Sequence, residues 1–280
     1  MPKTTLPTAN RTRSPALAEG LVQDQALAVR RACATNGRLV HAPTAGGASL
    51  QETDAPSQHR PGSASGRTQP EPPTREHSCL QVPADHYLGS YLNLPRMITY
   101  WYQATAVRDC GGRAVLEIGL GMGLTTWILR RWGLSVATLD LDPALGPTCT
   151  GDVRAMPFAD DSFDTILIAE VLEHLPFDQF NACLKELRRV ARRHVIITLP
   201  SALVGFHIGL NLPILEPMFL ALGFRRWSRP RFDGQHYWEL DRLGYPKRRI
   251  RRAIREKGFS IAKEFRPGLS LYNYFFVLEK

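Results

Sequence analysis

Apolar and polar positions follow two different periods along the chain from about residue 87 onward. Short runs that are apolar almost throughout predict buried strands, and between them apolar residues recur every three or four positions, as in amphipathic helices. Strands that are apolar on both sides are typical of parallel sheets covered on both faces. The pattern therefore predicts an α/β protein with a doubly wound, mostly parallel sheet and helices on both faces.

The elements can be assigned from this pattern. The predicted helices are 95–107, 124–132, 177–193 and 246–257. The predicted strands are 114–118, 135–139, 164–169 and 194–199, followed by 259–264 and 270–279 as a hairpin at the sheet edge.

Two segments depart from the alternation. Residues 1–80 are rich in Pro, Ser, Thr, Ala, Gly and Gln, and such composition cannot bury enough apolar surface to order the chain. We predict a disordered N-terminal extension there, with a regulatory or targeting tail as the alternative, and a domain over 81–280.

Residues 202–224 are strongly apolar but contain His207, Glu216 and two prolines. They predict a core or lid insertion rather than a membrane span, and we expect a cytoplasmic protein.

The segment 115–123 predicts a ligand site. It reads as a buried strand that breaks into a turn with Gly119, Gly121 and Gly123, and a helical pattern follows. Glycines let bare backbone approach a ligand. The next strand ends in Asp140, about 20 residues on, where nucleotide-binding folds place an acid on a ribose. Because the third glycine is one position too early for a dinucleotide dehydrogenase, a different nucleoside-bearing cofactor is indicated.

Four further motifs follow at regular intervals, over residues 138–142, 151–158, 161–175 and 196–200. With the glycine turn, they resemble the class I S-adenosylmethionine-dependent methyltransferases of the small-molecule branch, over roughly residues 85–200. This resemblance implies a Rossmann-like sheet of seven strands whose last pair is partly antiparallel. It implies S-adenosyl-L-methionine as the cofactor, and it implies that the protein is an enzyme.

The resemblance also implies roles for individual residues. Asp140, or as the alternative Asp142, would bind the ribose hydroxyls, and Asp152 would lie by the adenine amine. Glu117 would hold the cofactor ammonium, and Asp164 would anchor a strand. The cofactor-binding residues predicted in this way are Glu117, Gly119, Gly121, Gly123, Asp140, Asp152, Val153 and Glu170.

Methyl transfer needs positioning of the acceptor and in some cases a general base. The candidate catalytic residues are His174, His207 and His236, although each histidine can instead be structural. Glu170-x-x-Glu173-His174 could ligate a divalent metal, because carboxylates and imidazoles are suitable ligands. The same run occurs in similar proteins with no metal implied, and we expect no metal.

The charge distribution limits which partners are expected, and the cysteine content predicts the redox state of the thiols. The formal net charge is +9, concentrated between residues 224 and 257. Either a solvated helix face or peripheral contact with an anionic membrane would explain it. Because no zinc motif or RNA-binding aromatic signature accompanies it, nucleic acid is not the expected partner. The five cysteines are scattered, which predicts reduced thiols.

Three hypotheses remain. The leading one is methyl transfer to a small-molecule or lipid-linked acceptor, at an O, N or C atom. The alternatives are an RNA methyltransferase and a catalytically inactive methyltransferase-like binding or scaffold protein. The oligomeric state is left open by the sequence.

Overall fold

The computed structural model describes residues 82, 84–87, 91–210, 218–225, 228–270 and 272–280, so the predicted extension over 1–80 lies outside the described residues. The helices are α1 (Leu94–Asp109), α2 (Leu124–Arg131), α3 (Phe180–Val190) and α4 (Lys247–Glu256). The strands are β1 (Ala114–Ile118), β2 (Ser135–Asp140), β3 (Cys149–Thr150), β4 (Phe163–Ala169), β5 (Ala191–Pro200), β6 (Leu203–Leu210), β7 (Met218–Arg225), β8 (Ser260–Phe265) and β9 (Asn273–Glu279).

Seven of these strands form one sheet in the order β3-β2-β1-β4-β5-β9-β8. The first five in this order pair in parallel, and β9 runs antiparallel to both β5 and β8. The predicted fold and the edge hairpin are therefore confirmed. The chain leaves β1 toward β2 on one side and later returns to β4 on the other. In such sheets, ligands bind outside the carboxyl ends of the strands at this reversal point.

The sheet is covered on both faces because its strands are apolar on both sides. Val115 packs with Val107 of α1 and Leu129 of α2 in one cluster of buried residues. Leu116, the next residue along β1, packs with Leu184 of α3 in the other cluster, to which α4 also contributes. This alternation along one strand is the geometric reason for the three-layer arrangement.

The helix predicted over 177–193 is wrong at its carboxyl end. The structure has a short 3-10 turn first, then α3 to Val190, and β5 begins at Ala191. Ala191 has extended backbone and pairs with Phe163 of β4. The next residue, Arg192, forms an ion pair with Asp164 and donates to the Asp161 carbonyl. Strand pairing thus ends the helix at a position where the apolar spacing continues unbroken.

The described parts of 202–224, residues 202–210 and 218–224, form strands and not a helix. Strands β6 and β7 pair antiparallel with each other in a separate two-stranded sheet. Several large apolar side chains of this ribbon are exposed, so the core interpretation is wrong. Among the helices in the described part of the chain, none has the length and apolarity that a membrane crossing requires.

One cysteine departs from expectation. Cys110 and Cys183 are free thiols, as predicted. Cys149, at the start of β3, is disulfide-bonded, so the prediction of reduced thiols is wrong at this position.

Candidate active site

A cavity of about 470 Å³ opens at the carboxyl ends of β1, β2 and β4. This volume lies within the usual range for small-molecule sites, about 300–1,000 Å³. Its lining includes most of the residues predicted to bind the cofactor: Glu117, Gly119, Gly121, Asp140, Asp152, Val153 and Glu170. His174 and His236 line it as well. Sequence positions more than a hundred residues apart therefore meet in one site.

The glycine turn forms one wall of the cavity. Gly119 has a φ of 84°, and a Cβ there would lie 2.3 Å from Cγ2 of Val171. At Gly121, with a φ of 50°, a Cβ would lie 3.4 Å from the ring of Tyr87. Both positions therefore favour glycine for their backbone conformation, and Gly119 requires it for lack of space as well. Gly123 is not among the lining residues; it is the left-handed N-cap of α2.

Asp140 lies where β2 ends, beside the glycine turn. Its carboxylate accepts hydrogen bonds from the backbone N–H groups of Leu120 (2.7 Å) and Asp142 (3.0 Å). Burial raises the pKa of Asp140 above its ordinary value, although these hydrogen bonds act in the opposite direction and lower it. Asp142 instead accepts from the Ala144 N–H at 2.9 Å and caps a 3-10 turn. Of the two candidates, the acid that faces the cavity is thus Asp140.

Glu117 is a buried carboxyl group in the middle of the fold. It is 3% exposed and accepts a hydrogen bond from the hydroxyl of Thr126 on α2. Burial raises its pKa to about 7. A cation in the cavity would favour the ionised form of such a carboxyl group.

Asp152 has a partner that sequence reasoning missed. Arg154 donates from Nε to the Asp152 carboxylate at 2.9 Å, and from its backbone N–H at 2.8 Å. Burial opposes ionisation of Asp152, but these hydrogen bonds outweigh it and lower its pKa. Arg154 is held in turn by Gln179, at 2.7 Å. The carboxylate is therefore fixed and charged, with part of its hydrogen-bonding capacity already used.

Two further acids follow β4. Glu173 is fully buried, and neither of its carboxyl oxygens has a hydrogen-bond partner among the described residues. Burial and the neighbouring Glu170 charge raise its pKa well above the ordinary value. Glu170 has a φ of 54°, and burial raises its pKa to about 7. Strained backbone and unpaired buried acids are characteristic of functional sites.

The two cavity histidines have fixed orientations. Nδ1 of His174 lies 3.0 Å from the Gln235 carbonyl oxygen, which can only accept, so Nδ1 carries the proton and Nε2 the lone pair. Burial lowers the pKa of His174 to about 4. Nδ1 of His236 lies 3.2 Å from Oε1 of Glu239, and the other carboxylate oxygen, Oε2, accepts from Nε of Arg242 at 2.5 Å. The rings meet edge to face, with centroids 4.9 Å apart.

Glu173, His174 and His236 also offer atoms that could hold a metal ion, all within 4.8 Å of one another. This grouping differs from the one suggested by the sequence, because His236 comes from a distant segment and Glu170 is not included. The third histidine candidate, His207, lies in β6, and its side chain is outside the described part of the chain.

Sequence reasoning also missed a group of tyrosines in the lining. Arg96 stacks on the ring of Tyr91, with its Cζ 3.7 Å from the centroid, and donates to the Tyr91 hydroxyl at 2.6 Å. Burial raises the pKa of the lining tyrosines, so their hydroxyls remain protonated donors. The aromatic residues near the start of α1 were visible in the sequence, but their spacing indicated only a helix. The four tyrosines are Tyr87, Tyr91, Tyr100 and Tyr272.

The sequence and fold together identify the class of this site. Residues 116–199 match the model of a methyltransferase domain family. They begin within β1 and contain the glycine turn, Asp140 and the acids after β4. These residues therefore match a methyltransferase domain, and the resemblance to the class I S-adenosylmethionine-dependent methyltransferases inferred from the sequence is confirmed. The domain is that of an enzyme family, and S-adenosylmethionine is the cofactor that this family uses.

Curated relatives match over a limited region. The chain is 31% identical to demethylmenaquinone methyltransferase of Mycobacterium tuberculosis over 103 residues, 33% of this chain and 43% of the relative. It is 31% identical over 109 residues to a probable phthiotriol/phenolphthiotriol dimycocerosates methyltransferase of Mycobacterium ulcerans, 34% of this chain and 42% of the relative. The match thus spans about two fifths of the length of these relatives.

Solved methyltransferase structures align with the chain at low sequence identity. Magnesium protoporphyrin IX methyltransferase from Synechocystis, with bound S-adenosylmethionine, aligns at a TM-score of 0.45 and 17% identity. That alignment covers 69% of this chain and 87% of the other. An S-adenosylmethionine-dependent methyltransferase from Mesorhizobium loti aligns at 0.44 and 14% identity, covering 64% and 97%. The fold assignment rests on the strand order of the chain itself.

Proposed function

We propose that the whole chain is an S-adenosylmethionine-dependent methyltransferase that acts on an apolar small-molecule or lipid-linked acceptor. One observation carries this proposal. A glycine wall and two cavity carboxyls, Glu117 and Asp140, share a single cavity with His236, whose Nδ1 lies beside Glu239. The glycine wall and the two carboxyls suit a cationic nucleoside, and the histidine with its glutamate partner suits removal of a proton from the acceptor.

The residues present fit the cofactor. A Cβ at Gly119 would clash with Val171, so the chain has bare backbone here, against which the amino-acid half of a cofactor can lie. Asp140 would accept from the ribose hydroxyls, and charge-assisted hydrogen bonds of this kind are strong. Glu117 would face the ammonium group, while Asp152 and Val153 would contact the adenine. When bound, S-adenosylmethionine supplies a methyl group on an activated sulfonium.

His236 is the residue that we assign as the general base. Its Nδ1–H donates to Glu239, which leaves Nε2 as the acceptor of a proton. The Glu239 carboxylate would stabilise the imidazolium that forms, and Arg242 holds that carboxylate in place. His174 suits this role less well, because a base with a pKa of about 4 takes up protons poorly near neutral pH.

The acceptor is proposed from the other half of the lining. Tyr87, Tyr91, Tyr100 and Tyr272 supply ring surface with protonated hydroxyls. Such a wall suits a flat or lipidic molecule with an occasional polar group. The names of the two relatives, a demethylmenaquinone and a phthiotriol dimycocerosate methyltransferase, support an acceptor of this chemistry. Glu170 and Glu173 would hydrogen-bond the acceptor or, in ionised form, balance the cofactor charge.

The RNA alternative receives less support from the basic region. In α4, Arg251 pairs with Glu264 and Arg252 pairs with Glu256. Arg249 stacks on Phe177 and Tyr245. These cations have intramolecular roles, so the helix does not present a simple basic stripe to a phosphate backbone.

The proposal is tested by methyl transfer from radiolabelled S-adenosylmethionine with the full chain. The acceptors are quinols, phenols and amines, each with and without an isoprenoid tail, and total RNA in parallel. We expect label in the organic phase, and more with the tailed acceptors. Label in RNA alone would replace our proposal with the RNA alternative. If the chain binds S-adenosylhomocysteine but labels no acceptor, the scaffold alternative is favoured.

A further inference from the structure

The β6–β7 ribbon has one continuous apolar face. Directly paired residues of an antiparallel ribbon lie on the same face, and Val204 pairs with Phe224 while Phe206 pairs with Leu222. With Ile208, these side chains are between 39% and 68% exposed. The opposite face includes the glycine pair Gly205 and Gly223.

The ribbon is not part of the main sheet. Its two strands pair with each other, and the main sheet includes neither of them. An isolated two-stranded hairpin is marginally stable in water, and contiguous exposed apolar patches usually mark contact surfaces. The apolar face of the ribbon therefore requires a covering partner.

The charges next to the ribbon indicate the chemistry of that partner. Arg225 ends β7, and Arg226, Arg229 and Arg231 follow within six residues without an intervening acid. Arg229 and Arg231 are exposed, as is Phe232. An apolar face bordered by arginines matches the boundary between acyl chains and anionic headgroups. A second copy in a two-fold dimer would bring the same arginines together, which is unfavourable.

The position of the ribbon links this surface to the cavity. β6 begins three residues after β5 ends. The carboxyl end of β5 lies on the side of the sheet where the cavity opens. The segment after β7 leads to Gln235 and His236 in the cavity lining. We propose that the β6–β7 ribbon docks the protein onto an anionic lipid surface, with the apolar face in the acyl region and the arginines at the headgroups. This inference goes beyond the proposed catalytic activity.

The test is cosedimentation of the full chain with phosphatidylcholine vesicles, with and without phosphatidylglycerol. We expect binding to the anionic vesicles that weakens as salt is added. Phe206→Ser with Phe224→Ser should weaken it about tenfold or more, since two large apolar side chains no longer enter the bilayer. Arg229→Glu with Arg231→Glu should weaken it similarly. The matched control is Trp127→Ser on α2, whose side chain is 57% exposed elsewhere, and it should bind like the wild type.

Each variant is also titrated with S-adenosylhomocysteine, so a loss of folding is distinguished from a loss of docking. The arginine variant changes an exposed segment and preserves the test if the phenylalanine variant fails to fold. Absence of wild-type binding, or equal binding by the variants, would overturn the proposal. So would self-association in lipid-free solution that the Phe206 and Phe224 substitutions abolish, because the ribbon would then be an interface between copies.

Discussion

Replacement of His236 by alanine is expected to lower kcat by about 100-fold or more, the usual contribution of a general base. The ring is held by Glu239, so its free nitrogen is positioned to take the acceptor proton. Binding of S-adenosylhomocysteine should not change, because the residues assigned to the cofactor are untouched. The measurement is steady-state kinetics with the best acceptor from the radiolabel assay, beside calorimetric titration of the cofactor product.

Glu239→Gln provides the graded comparison for this prediction. Glutamine can still accept from Nδ1 but carries no charge, so we expect about a tenfold loss in kcat and no change in cofactor binding. His174→Ala and His207→Ala are made in parallel because both histidines were candidates from the sequence. If either of these lowers kcat by 100-fold while His236→Ala does not, the assignment of the base to His236 is wrong.

Gly119→Ala is expected to remove cofactor binding and to destabilise the fold by about 2–5 kcal/mol. A left-handed conformation costs a non-glycine residue roughly 1–2 kcal/mol. The added Cβ would also lie 2.3 Å from Cγ2 of Val171, and overpacking of this kind costs about 1–3 kcal/mol. Denaturant unfolding measures the stability, and titration with S-adenosylhomocysteine measures the binding.

Gly133→Ala is the matched control. Gly133 has a φ of 82°, close to that of Gly119, but a Cβ there meets nothing within 4 Å. It should therefore show the conformational cost alone, about 1–2 kcal/mol, and bind normally. In a double-mutant cycle, Val171→Ala should recover part of the loss of Gly119→Ala. Equal destabilisation by the two glycine substitutions would contradict the steric account of this wall.

Much of the fold follows from the sequence because its strands and helices have strong periods. β1 was predicted with its observed bounds, and the antiparallel edge pair was also anticipated. The end of α3 was not, since the apolar stripe continues through Ala191 and only pairing with Phe163 reveals the break. The ribbon was missed for a related reason. Apolarity was taken as a sign of burial, whereas the alternating side chains of β6 and β7 are exposed.

The cofactor half of the site could be predicted more fully than the acceptor half. Glu117 and Asp140 each lie in a local motif that consists of one strand and the turn after it. The His236–Glu239 pair meets His174 only because the chain returns to the sheet edge after β7. The Arg154 partner of Asp152 is two residues away, but its contact depends on a side-chain conformation that a sequence pattern does not specify.

The central claim is that this cavity holds S-adenosylmethionine, and calorimetric titration of the full chain with S-adenosylhomocysteine tests it most directly. We expect micromolar binding, weakened about 100-fold in Asp140→Ala, because two charge-assisted hydrogen bonds to the ribose would be lost. Asp160→Ala, at a surface carboxylate with 72% exposure, should bind like the wild type. Absence of wild-type binding, or equal binding by Asp140→Ala, would contradict the account.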